Sequence, residues 1–141
     1  MSKVLFTSSA TALGGREGHV KSSDGVIDID LAMPGSPRAK ELSDATNPEQ
    51  LFAAGYSACF DGALQLMARN QGVTFESEVT ADVSLLKDEK DGGFKLAVNL
   101  KVKGTGIEKS VLEELVHKAH DFCPYSKATR GNIEVTLEAN A

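Results

Sequence analysis

Cysteine is scarce in this chain: 141 residues include only Cys59 and Cys123. In a reducing compartment permanent disulfides are disfavoured, so such a pair reads as free, catalytic or redox-cycling. The two do not form a local C-x-x-C, and only the fold can bring them together. Positive charge is also short, with 15 basic against 20 acidic residues and a net charge of −5. There is no basic block and no aromatic–basic stripe, which argues against a nucleic-acid partner. No apolar run approaches the roughly 20 residues of a membrane span, and the apolar stretch in "MSKVLFTSSA" is too short for a signal peptide. A cytoplasmic protein without a membrane partner is the expectation. The length suits a single domain over residues 1–141.

What is present divides cleanly. "KVLFTSSATAL" is β-leaning, and Gly14-Gly15 turns it into "GGREG", which sets Arg16 between glycines. "HVKSS" and "VIDIDLAM" flank Asp24-Gly25, a hairpin signal, so a three-stranded meander is predicted. From Pro34 to Thr46 there is no clear period, although Arg38 to Leu42 suits a short turn of helix. An irregular connection of roughly 12–15 residues inside a compact domain is often functional. Asn47 as N-cap, Pro48 at the first helical position and Gln50 as the return half of a capping box then start a long helix that stops near Gln71-Gly72. "VTFESEVTADVSLL" and "FKLAVNLKV" predict two long strands. Apolar residues at 107, 111, 112, 115, 116 and 119 predict an amphipathic helix. Pro124 ends it or opens a short one, and "IEVTLEA" is a last strand. The order βββ–α–ββ–α–β indicates an α+β fold with mainly antiparallel sheet.

The long helix is apolar almost all round; its wet stripe is Asp61, Gln65 and Arg69. A helix apolar on every side must be covered on every side, and a homodimer that packs these helices across a two-fold is the simplest cover. Gly55, Cys59 and Gly62 share one of its faces, which suits close backbone approach. By itself Cys59 reads as a small buried hydrophobe. Burial raises a thiol's pKa, and the helix dipole fades within the first turn, so a reactive Cys59 needs an imported cation. Arg16 is the candidate, and Glu49, which opens the same helix, is a carboxylate able to hold it. Cys123 stands at a helix boundary, where local structure favours reactivity. His117, His120 and Cys123 meet zinc patterns only loosely and have no strong fourth ligand, so no metal is assigned.

Two motifs carry a resemblance. "TNPEQLFAAGYSACF" and, much later, "FCPYSKATRGNIEV" resemble the Ohr branch of the Ohr/OsmC family, the organic hydroperoxide resistance proteins, and "GGREG" and "SSDGVIDIDL" fit the N-terminal part of that pattern. "GYSACF" favours Ohr over OsmC. The likeness runs essentially from end to end, except that the stretch after Met33 is shorter and less glycine-rich than expected, with Arg38, Lys40 and Glu41 filling part of it.

The resemblance implies an intertwined homodimer, mainly antiparallel sheets wrapped around central helices. It implies a thiol peroxidase for organic hydroperoxides, with Cys59 the peroxidatic thiol, Cys123 the resolving one, Arg16 the activating cation and Glu49 its anchor. The implied reductant is a dihydrolipoyl group on a protein or lipoamide, with no cofactor. Phe52, Tyr56, Phe60 and Phe122 are candidates for an apolar wall around the sulfur, and each also suits ordinary core. The alternatives are an OsmC-like peroxidase of broader range, a non-enzymatic redox-responsive or hydrophobic-ligand-binding dimer, and a metal-binding module.

Overall fold

The N-terminal meander forms around its turn residues. In the computed structural model, which describes residues 2–141, β1 (Ala10–Leu13), β2 (His19–Ser22) and β3 (Asp28–Asp30) pair antiparallel in that order. The β2–β3 turn is closed by Asp24, whose carboxylate accepts the Val26 N–H at 3.0 Å and the Ser22 hydroxyl at 2.7 Å. β1 is shorter than the β-leaning run that contains it, because pairing starts at Ala10 opposite Ser22. The irregular stretch holds one short helix, α1 (Pro37–Glu41), capped by Ser36 accepting from the Ala39 N–H at 3.1 Å. Leu31 then pairs with Thr46 in an isolated parallel bridge. Residues through Leu51 form one compact unit, and Phe52–Ala141 form a second.

The long helix, α2 (Pro48–Asn70), begins where the cap predicts. Asn47 Oδ1 accepts the Gln50 N–H at 2.8 Å. The return half of the capping box is not made. Gln50 Oε1 instead takes the Thr46 hydroxyl at 2.6 Å. Thr46 is fixed in place by its bridge to Leu31, so its hydroxyl is the nearer donor.

In the second unit β4 (Glu76–Lys87) and β5 (Phe94–Thr105) form a long antiparallel pair. α3 (Lys109–Phe122) and α4 (Pro124–Thr129) follow, and β6 (Val135–Asn140) returns beside β5 in parallel. Pairing is mainly antiparallel, as expected, with this one parallel exception. It arises because two helices intervene between β5 and β6, the crossover that parallel neighbours require. Val98, Leu100 and Val102 of β5, Leu112, Leu115 and Val116 of α3, and Phe60 and Leu64 of α2 share one buried core.

α2 buries Tyr56, Phe60, Ala63, Leu64 and Ala68 within that unit, and Ala54, Ala58 and Gly62 stay exposed. Its supposed wet stripe is partly tied down. Asp61 accepts the Ser77 hydroxyl at 2.5 Å, and the Gln65 amide donates to the same oxygen at 2.5 Å, so only Arg69 of the three is exposed. Among the described residues no helix is long and apolar enough to cross a membrane. Asn47→Ala should lower unfolding free energy by about 1 kcal/mol in a urea titration, and Asn47→Ser by only a few tenths. An unchanged midpoint for the alanine variant would remove the cap from the account of where α2 starts.

Candidate active site

Cys59 lies inside α2, and Cys123 stands between α3 and α4. The fold brings their Sγ atoms to 3.5 Å, with the Cys123 thiol donating. Both are free thiols; Cys123 is fully buried and Cys59 half-buried. The position of Cys123 follows from its neighbours. Its N–H closes the last turn of α3 on Ala119 O at 2.8 Å, and its carbonyl accepts the Lys127 N–H at 3.0 Å to open α4. Pro124 cannot continue α3 but suits the first position of a new helix, so the chain turns at the cysteine.

Burial pushes the Cys59 thiol above its ordinary range. The backbone of Tyr125, in the first turn of α4, favours the anion and opposes that rise, while the neighbouring Cys123 thiol adds to it. Sequence reasoning gave Cys59 no help from a helix start. The help exists, but it comes from another helix and only the fold could reveal it.

Gly55 makes room for Tyr125: a Cβ there would lie 2.6 Å from Tyr125 Oη. The close approach expected on this face of α2 is therefore an aromatic ring lying on the helix. At Gly62 a Cβ would meet nothing within 4 Å in this chain. Tyr125 also stacks edge-on with Phe52, centroids 6.0 Å apart, and sits 5.7 Å from the Tyr56 ring. Phe52 and Tyr125 line a groove of about 690 Å³ together with Leu96, Pro124, Ala128 and Ile133. Of the other candidate wall residues, Tyr56 and Phe60 are fully buried in the core and Phe122 is exposed. His120 Nδ1 meets Ser126 Oγ at 2.8 Å, and His117 is exposed.

The arginine turn belongs to the first unit. Gly14 and Gly15 take positive φ, +79° and +63°, and Gly15–Glu17 form a single 3₁₀ turn that presents Arg16. At Gly18 a Cβ would overlap Leu13 O, so only glycine closes this turn. Arg16 and Glu49 form a two-pronged pair, Nη1–Oε1 2.6 Å and Nη2–Oε2 3.0 Å. Glu49 holds the guanidinium charged, raising its pKa further. The carboxylate is the more sheltered partner, 15% exposed against 40% for the arginine.

Arg38, in α1, braces the base of this turn. Its Nε donates to Leu31 O at 2.8 Å and its Nη2 to Gly18 O at 3.2 Å. The irregular connection that sequence reading left without a role thus supports the turn that carries Arg16.

Residues 40–138 match the family model described as OsmC-like protein. The chain is 67% identical over 138 residues to organic hydroperoxide resistance protein OhrA of Bacillus subtilis, covering 98% of each. The chain belongs to the Ohr branch of the OsmC-like family. It is also 49% identical over 139 residues to an organic hydroperoxide resistance protein of Xanthomonas axonopodis pv. citri, covering 96% of this chain and 94% of that one. The crystal structure of OhrB of Bacillus subtilis superposes with a TM-score of 0.92 at 53% identity, covering 97% of this chain and all of that one.

Within this Ohr-type chain, one charge cluster beside the arginine turn went unnoticed in the sequence. His19, next to Gly18, bridges Asp30 through Nδ1 at 2.8 Å and Asp28 through Nε2 at 2.5 Å. Its pKa is raised, chiefly by the Asp30 hydrogen bond and then by that to Asp28. A histidine whose folded pKa is raised stabilises fully below its unfolded value of about 6.5 and loses that effect as pH climbs through the folded value. Wild type should therefore exceed His19→Gln in thermal midpoint most near pH 6, with the gap narrowing above about pH 6.5. A gap that widens with rising pH would contradict the clasp.

Proposed function

We propose that this protein is a thiol peroxidase that reduces organic hydroperoxides to alcohols. The observation that carries the reading is the meeting of two free thiols, far apart in sequence, at 3.5 Å. The names of the relatives, organic hydroperoxide resistance proteins, supply the substrate class.

The groups that set the acidity of Cys59 within its own unit act mainly to keep it protonated. Arg16, fixed by Glu49, supplies the missing cation. The Cys59 thiolate attacks one peroxide oxygen, and the O–O bond breaks. The departing alkoxide, steadied by the guanidinium, takes a proton and leaves as the alcohol. Cys59 is left as a sulfenic acid. The Cys123 sulfur then attacks Cys59, hydroxide departs and is protonated to water, and a disulfide joins the two. An external dithiol restores both thiols by exchange and is itself oxidised to a disulfide. A dihydrolipoyl group, whose two thiols close into a ring, suits this step. No metal or organic cofactor takes part.

The working form is a homodimer. Single chains leave Val4, Leu5, Phe6, Leu13 and Phe94 largely in water, and a second copy is the proposed cover. The groove beside Tyr125 receives the apolar tail of the peroxide. Each buried CH₂ contributes about 0.8 kcal/mol, which hydrogen peroxide cannot gain.

Stopped-flow oxidation should give a larger second-order rate constant for cumene hydroperoxide than for hydrogen peroxide. Cys59→Ser should abolish turnover with dihydrolipoamide. Cys123→Ser should react once and then accumulate sulfinic acid at Cys59. Arg16→Ala should slow the first step by about a hundredfold. Equal rates for the two peroxides, or full turnover in Cys59→Ser, would overturn the reading.

A further inference from the structure

Two rungs join α2 to α4. One is the sulfur pair, Cys59 to Cys123 at 3.5 Å. The other is a hydroxyl pair, Tyr56 Oη to Ser126 Oγ at 2.8 Å. Tyr56 precedes Cys59 by three residues on α2, and Ser126 follows Cys123 by three on α4, so each rung leaves from the same side of its helix as the other. The hydroxyl rung has further supports. Thr129 Oγ1 lies 3.2 Å from Tyr56 Oη, and His120 Nδ1 of α3 lies 2.8 Å from Ser126 Oγ. Tyr56 and Ser126 are fully buried, and among the described residues no buried side-chain polar atom lacks a partner.

α4 has only six residues, from Pro124 to Thr129. A helix that short has little stability of its own and takes its position from what it packs against. The sulfur rung cannot fix it, because that rung changes during any redox cycle: the sulfurs must approach from contact to a bond of about 2.05 Å. The hydroxyl rung contains no atom that the thiol–disulfide change alters.

We infer that the His120–Ser126–Tyr56 chain is a positioning device: it holds the start of α4 so that Cys123 stays poised to close on Cys59. Its hydrogen bonds run between Tyr56, Ser126 and His120 and involve neither sulfur. They set the effective concentration of one thiol at the other, and through it the speed at which an oxidised Cys59 becomes a disulfide. That last consequence rests on the peroxidase reading; the effective concentration does not.

The test is a thiol–disulfide equilibrium, with no peroxide present. The whole protein is equilibrated in buffers of reduced and oxidised glutathione, quenched by alkylation and weighed, to give the effective concentration of Cys123 at Cys59. Ser126→Ala should lower it about tenfold, in keeping with the steep dependence of intramolecular reactions on placement. Tyr56→Phe, which removes the same hydrogen bond with almost no change of shape, should do likewise, and Ser126→Thr, which keeps the hydroxyl, should recover most of the loss. A role in packing alone would lower the thermal midpoints of the reduced and oxidised forms together and leave the effective concentration unchanged. A value within twofold of wild type in either folded variant that lacks the hydrogen bond overturns the inference. In single-turnover peroxide experiments Ser126→Ala should oxidise Cys59 at the wild-type rate but close the disulfide about tenfold more slowly. If no peroxide reacts with the wild type at all, the peroxidase reading fails, and the glutathione result still decides the positioning role.

Discussion

A sulfur in the interior of a helix has no charged end of its own element to lean on, and the surroundings of Cys59 in the second unit show how that want is met. α2 places Cys59 amid apolar neighbours, where burial holds the thiol protonated. What reaches it comes from the α3–α4 junction: the Cys123 thiol and the backbone of Tyr125, both in the motif Cys123-Pro124-Tyr125. Pro124 is the reason they arrive together. It ends α3 and begins α4 at one point, so a thiol and a free backbone donor are presented within three residues. Gly55 completes the fit by letting the Tyr125 ring settle on α2.

The first unit solves a different problem, that of holding a guanidinium still. A long flexible side chain loses much of its freedom when fixed, and one hydrogen bond is poor compensation. Here the geometry is built from the backbone outward. Three glycines make a turn that few other residues could follow, Arg38 ties its base at Gly18 to Leu31, just past β3, and Glu49 grips the guanidinium with both oxygens. Glu49 is itself placed by the Asn47 cap and the Thr46 bridge, which fix where α2 begins. The arginine is partly exposed, so its value lies in orientation more than in the strength of the ion pair.

The parts of this arrangement that rest on local chemistry were legible in the sequence. Asn47-Pro48 marked the start of α2, Asp24-Gly25 the hairpin, and Pro124 the break after Cys123, because caps, turns and proline act over a few residues. The Arg16–Glu49 pair was reachable by asking what a buried thiol would need. What stayed hidden depends on elements meeting through space. Asp61 and Gln65 read as a wet stripe until Ser77 of β4 bound them both. Arg38 read only as the start of a short helical turn with no partner, and Ser126 drew no notice at all, although it joins three helices. The parallel placement of β6 likewise has no signature in its own residues; it follows from the crossover before it.

On the proposed mechanism, burial of the thiol is both a cost and the source of selectivity. Each tenfold loss of thiolate to desolvation corresponds to about 1.4 kcal/mol. Two methylene groups of a bound substrate tail contribute about 1.6 kcal/mol, enough to offset such a loss. Hydrogen peroxide has no tail and meets only the unfavourable side of that balance. A better solvated thiol, of the kind that an exposed loop would hold, would be more acidic by itself but would treat all peroxides alike. Placing the sulfur inside an apolar helix and bringing the cation from a separate, backbone-built turn divides the two tasks: hydrocarbon selects the substrate, and the guanidinium restores the anion. Neither element does both, so the proposed chemistry draws on the turn at Arg16, the middle of α2 and the start of α4.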